Sequence, residues 1–274
     1  MSIARATMEL MDLAKAKLGQ ASQLMNKHQL DCWIVSFARE SGKRPDPLEY
    51  LVGTTVTWPS AFIVNKDGRS VAIVASGDVG QVQSGGIWDE VRGYVASPRE
   101  GLIKLLDEWK PDRIGVSWSA DDDASDGITY GMYRLLESML QGTSHEGRLV
   151  SAGPLAGEVR RRKLPDEIEA IHSAIAATEQ LFPRIAGLLE LGLTEKELQS
   201  QIQSWVRELG FGYSWEERMN PIVNFGPQRA NGSLASGRYP VAARTSHPRR
   251  HRPPARRLLI GSAAHVVLAA RRRE

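Results

Sequence analysis

The chain of 274 residues is poorest in cysteine: Cys32 is its only one. A disulfide framework is therefore excluded, and a reducing cytoplasm is the expected location. Apolar runs are also short. None approaches the ~20 residues that a membrane span requires, and the first residues lack the basic-then-apolar pattern of a secretory leader. Histidine is scarce as well. His28, His145 and His172 are the only three before residue 229, far apart and without Cys, His or carboxylate at metal-ligand spacing. No glycine-rich phosphate loop and no Gly-x-Ser-x-Gly elbow occurs.

Lysine disappears altogether from the last 46 residues. Between Arg229 and Glu274 stand eleven arginines, no lysine and one acid, a net of +10, while residues 1–228 carry 24 basic and 31 acidic side chains, a net of −7. An acidic body thus bears a basic tail, and the overall net charge of +3 hides the division. A tail of this kind ordinarily implies an electrostatic arm for phosphates, which makes a non-catalytic, nucleic-acid-binding protein the alternative reading. Two features oppose it. The arm has no interleaved aromatics of the kind that stack on single-stranded bases, and Arg, Ala and Pro without Lys is the composition of a GC-rich gene read out of frame.

What is present before the tail reads as alternating helices and strands, an α/β (α+β) class. Leu10, Leu13, Leu18, Ala21 and Leu24 give helical spacing over 7–28, and Cys32–Phe37 reads as a buried strand. Ala61–Val64 and Ser70–Ala75 flank the turn Asn65-Lys66-Asp67-Gly68, whose Asp-Gly pair supplies a hairpin. A helix is predicted from Pro98 and Glu100 through Trp109, a strand over Arg113–Trp118 and a helix at about 128–141. Pro165 sits near the start of a long helix with Ile168, Ile171, Ile175 and Phe182 along one face. Thr194 and Glu197 have the spacing of a capping box, and Leu198, Ile202, Trp205, Val206 and Leu209 continue that helix until Gly210 and Gly212. Arg218–Phe225 is the next candidate strand. Asp121, Asp122, Asp123 and Asp126 lack the Gly and Glu of a calcium loop and read as a solvated acidic loop. Arg160-Arg161-Arg162-Lys163 reads as a solvated linker, and His172 as a surface or packing residue.

Arg160 and Lys163, then Glu167-Ile168, then Gly192-Leu193-Thr194-Glu195-Lys196-Glu197-Leu198 resemble the opening of the catalytic domain in the pita-bread family of prolidases, aminopeptidase P and creatinase. Upstream, "DCWIVSFARE", "LEYLVGTTVTWPSAFIVNKDGRSVAIV" and "RIGVSWS" are similar to that family's N-terminal domain. The resemblance implies a creatinase-type N-terminal domain at 1–155, an incomplete pita-bread catalytic domain at 156–228 and an aberrant, disordered tail at 229–274. It also implies a cytoplasmic homodimer acting on peptides with proline at the second position. In the intact family two divalent ions (Mn, Co or Zn), held by two Asp, a His and two Glu, carry a hydroxide that attacks the bond preceding proline.

No counterpart of those ligands follows in this chain, so no residue is assigned as catalytic, cofactor-binding or metal-ligating, and no metal is expected here. Reading each codon across two residues of the tail explains the loss. Asn231–Ala235 then permits Met-Gly-His-Trp, Pro248–Pro253 permits His-Val-Asp-Ile-Gly, and Arg256–Ser262 permits Glu-Gly-Tyr-Ser-Ser-Asp. These are the family's motifs in their order and spacing. A single-base slip between about Pro227 and Asn231, leaving an inactive frameshifted fragment of a Xaa-Pro peptidase, is the expectation.

Overall fold

The computed structural model describes residues 3–39, 48–188, 193–213, 216–224 and 259–260. The chain divides into two compact units, Met1–Leu164 and Pro165–Glu274.

In the first unit, α1 (Ile3–Met25) leads into β1 (Cys32–Ala38), followed by the short α2 (Glu49–Val52), β2 (Ser60–Asn65), β3 (Ser70–Ala75), α3 (Val79–Ser84), β4 (Glu90–Tyr94), α4 (Arg99–Trp109), β5 (Ile114–Val116), α5 (Tyr130–Leu140), β6 (Leu149–Ser151) and α6 (Gly153–Arg161). The six strands form one mixed sheet in the order β4-β3-β2-β1-β5-β6. β2 runs antiparallel to β1 and β3, while β1–β5, β5–β6 and β3–β4 pair in parallel.

Helices cover both faces, which is why β1, β2 and β3 are apolar without alternation. Trp33, Val35, Phe62, Val64, Ala72 and Val74 meet Leu18, Ala21 and Met25 of α1 and Leu155, Ala156 and Val159 of α6. Cys32, Ile34, Ile63, Val71 and Ile73 meet Leu102, Leu105 and Leu106 of α4 and Met132, Leu136 and Leu140 of α5. The β1–β2 register slips between Ile34 and Ser36. That bulge inverts the alternation, so Phe37 joins Cys32 and Ile34 on one face although its number has the opposite parity. Gly68 turns the hairpin at φ +90°, where a side chain would be strained. The amphipathic α4 ends at Lys110 in a left-handed conformation.

The second unit is smaller. α7 (Pro165–Leu188) and the capped α8 (Glu195–Glu208) pack with β7 (Val223–Asn224), which pairs antiparallel with β8 (Leu259–Ile260). Leu181, Ile185, Leu198, Ile202 and Val223 form its core, with Trp205, Val206 and Leu209 packed against it.

Several expectations change. The sheet's edge strands β4 and β6 and the helices α3 and α6 were not anticipated. The expected boundary at 155 falls inside α6, whose Leu155, Ala156 and Val159 are buried in the first unit, so that unit closes at Leu164. Arg160 and Arg161 are accordingly the last turn of a helix rather than linker. The expected strand at 218–225 is shorter: Glu217–Met219 is a 3-10 turn, and pairing begins at Val223. Apart from β8, the tail at 229–274 lies outside the described residues.

Candidate functional site

Each histidine of the body meets at most one carboxylate. His28 Nε2 lies 2.8 Å from Glu158 Oε2, and His145 Nε2 lies 2.8 Å from Asp107 Oδ1 with its ring buried. His172 is exposed on α7, which makes it a surface residue rather than a packing one. The aspartate loop has a structural use: Asp122 accepts from the Ala124 amide at 3.1 Å and the Ser125 hydroxyl at 2.8 Å, capping the 3-10 turn Asp123–Ser125. Among the described residues no three His, Cys, Asp or Glu converge to hold a metal ion. The described residues therefore do not fit the dinuclear metal centre that the resemblance implies.

A dense polar constellation surrounds the C-terminal half of α6. Lys17, on the buried face of α1, is wholly excluded from solvent. Its ammonium donates to the carbonyls of Val159 at 2.7 Å and Arg162 at 2.8 Å and to Gln20 Oε1 at 3.3 Å. A buried ammonium is tolerated where acceptors surround it in this way. Two of those acceptors are carbonyls that α6 leaves unpaired at its end, where the helix dipole also favours a cation. One turn back, Glu158 accepts from Lys27 Nζ through both oxygens at 2.8 Å. The hydrogen bonds from Lys27 and then His28 hold the Glu158 carboxyl down at about 2.

Other perturbed groups are also structural. Asp31 accepts from Lys66 Nζ at 2.7 Å and from the amides of Asp112 and Arg113 at 3.0 and 3.1 Å, joining the hairpin to the start of β5. The Lys66 ammonium beside it holds its carboxyl below the usual range. Burial pushes the Cys32 thiol up, which leaves it inert.

The residues that carry the resemblance take helix-end positions. Glu167 and Ile168 occupy the first turn of α7. The capping box is formed: the Glu197 amide donates to Thr194 Oγ1 at 3.2 Å, and the Thr194 amide donates to Glu197 Oε2 at 2.8 Å. The Thr194 amide, and then the Thr194 hydroxyl, which donates to Glu197 Oε2 at 2.8 Å, hold the Glu197 carboxyl below its ordinary value. Farther along the same helix, Gln199 donates to the carbonyls of Arg218 and Pro221, and Gln203 to those of Glu217 and Asn220. Two side chains one turn apart thereby hold the segment that leads into β7. The Lys17 constellation escaped sequence reasoning because Lys17 looks like any helical lysine; its partners are backbone carbonyls more than 140 positions away.

Comparison with known proteins agrees with this architecture. The family model for the creatinase/prolidase N-terminal domain matches residues 17–161. Among solved structures, the chain is similar to dipeptidase PepE from Mycobacterium ulcerans (TM-score 0.59, 16% identity, covering 85% of this chain and 58% of that one). It is also similar to an X-Pro aminopeptidase from Thermotoga maritima (TM-score 0.55, 20% identity, 78% and 55%). A Xaa-Pro dipeptidase from Bacillus anthracis is a third (TM-score 0.54, 18% identity, 83% and 57%). At these identities the likeness is one of fold, and the chain spans 55–58% of the length of these structures. No curated protein matches the sequence. With its N-terminal domain model matched over more than half the residues, this chain belongs to the creatinase/prolidase family.

Proposed function

We propose that this chain is the N-terminal portion of a Xaa-Pro metallopeptidase, separated from its catalytic residues by a single-base slip between about Pro227 and Asn231, and that as translated it does not hydrolyse peptides. The observation that carries the reading is a contrast. The fold resembles that of Xaa-Pro peptidases over 83% of the chain, yet the described residues gather no metal-holding group. In this reading the complete protein is a cytoplasmic homodimer that cleaves the bond preceding proline with two divalent ions, and what remains here is the creatinase-type domain and the first helices of the catalytic one.

The test has two parts. The nucleotide sequence across codons 220–240 is read, and the chain and a frame-restored version are assayed on Xaa-Pro dipeptides with added Mn²⁺. The expected result is a slipped base, no hydrolysis by the chain and hydrolysis by the restored protein. An uninterrupted frame, or turnover by the chain as it stands, would overturn the proposal. DNA binding that weakens steeply with salt and is lost on truncation at residue 228 would favour a nucleic-acid-binding arm instead.

A further inference from the structure

Four consecutive basic residues, Arg160-Arg161-Arg162-Lys163, stand immediately before the junction of the two compact units at Leu164. Arg161, Arg162 and Lys163 are exposed. In a loop such a run would be an open target for a basic-specific endoprotease. A protease, however, takes its substrate in extended form, pairing with the backbone over several residues. Here the backbone is engaged elsewhere. The Arg162 amide donates to the Glu158 carbonyl at 2.9 Å, and the Val159 and Arg162 carbonyls accept from buried Lys17 at 2.7 and 2.8 Å. The Lys163 ammonium donates to the Arg160 carbonyl, and the Arg160 guanidinium donates to the Ala124 carbonyl at 3.2 Å. The helix beneath is anchored as well: Leu155, Ala156 and Val159 are buried, and Glu158 is bound by Lys27 and His28.

We propose that Lys17 is a latch on this junction: by holding the carbonyls that end α6, it keeps an exposed tetrabasic cleavage site in a conformation that a basic-specific protease cannot accept. The carbonyl of Arg162 belongs to the peptide bond such an enzyme would hydrolyse, water adding hydroxide to that carbon and a proton to the Lys163 nitrogen. Opening the latch exposes the bond, and cutting it separates the creatinase-type unit from everything that follows. Cleavage then follows the population of the opened state rather than side-chain exposure.

Trypsin digestion of the whole chain, with products identified by mass, tests the latch. Cleavage within 160–163 should be on the order of a hundredfold slower in the intact chain than in a synthetic peptide spanning 155–169, because it requires local opening. Lys17→Met keeps the apolar stem and removes the donors. It should speed cleavage at the run by about tenfold or more, the expected effect of losing charged hydrogen bonds. Cleavage after Arg99 and Arg134, exposed arginines on α4 and α5, should keep its rate. Three results would each overturn the latch: an intact chain cut as fast as the peptide, a Lys17→Met chain cut no faster, or an equal rise at Arg99 and Arg134, which would mean that Lys17 only supports the fold.

Discussion

The two units bury their apolar residues to different degrees. In the first, helices close both faces of a six-stranded sheet, and Trp33, Ile34, Ile63, Leu102 and Leu106 are at most 1% exposed. In the second, α7 packs Leu181 and Ile185 with α8 and β7 and buries Ala174 and Ala177, but leaves Ile168, Ile171, Ile175 and Phe182 between 39% and 45% exposed. The apolar arc of α7 is wider than the one helix and one strand beside it can cover. Leu198 and Ile202 of α8 are buried at 1% and 3% in the cluster that also holds Leu181, Ile185 and Val223. The unsatisfied apolar surface lies on the other helix. A sheet needs cover on two sides and has it in the first unit; a helix pair satisfies only one stripe of each helix.

Breaking the better-buried unit should have the largest effect. Trp33→Ala removes a fully buried ring and its hydrogen bond to Ser117 Oγ at 2.9 Å. It should cost about 3–5 kcal/mol in urea unfolding followed by tryptophan fluorescence or circular dichroism. Leu198→Ala in the small core should cost about 2–3 kcal/mol, toward the low end for such a deletion because a sparse cluster collapses into the gap. Amide exchange should speed up in α8 while α4 and α5 keep their protection, a result that would sharpen the division into two units.

Ile175→Glu places a charge on the uncovered stripe and should change stability by no more than about 0.5 kcal/mol. It should also lower binding of a hydrophobic dye; a loss comparable to that of Leu198→Ala would show that the stripe is covered after all. The smallest effect is one of pH. Because the Glu158 carboxyl is lowered from 4.5 to about 2 in the fold, its attraction to Lys27 and His28 is present in full above pH 4.5 and is lost as pH falls toward 2. Glu158→Gln should remove that part of the acid-unfolding profile and leave stability between pH 7 and 8 insensitive to pH at this site.

Much of the fold could be read from local chemistry. The Asn65–Gly68 turn, the Thr194–Glu197 capping box and the 3.6-residue spacing of α4 are decided by residues within a few positions of one another, and the structure contains all three. The elements that escaped have no such local signal. β4, with Glu90, Arg92 and Gly93, is an edge strand whose side chains pair with Glu108 and one another rather than alternate in polarity. α6 opens on Gly153-Pro154 and ends in arginines, and its burial depends on α1 lying beside it.

For this protein the sequence alone determined the alternation of helix and strand, the family motifs at 160–198 and the absence of metal-ligating spacing in the body. These rest on period, turn chemistry and residue type, which are local. Only the tertiary structure decided that Lys17 would be a buried cap, that Arg160 and Arg161 would close a helix, and which of two apolar stripes would be covered. Such outcomes depend on groups far apart in the chain meeting at hydrogen-bond distance or in van der Waals contact, and no sequence spacing records that meeting.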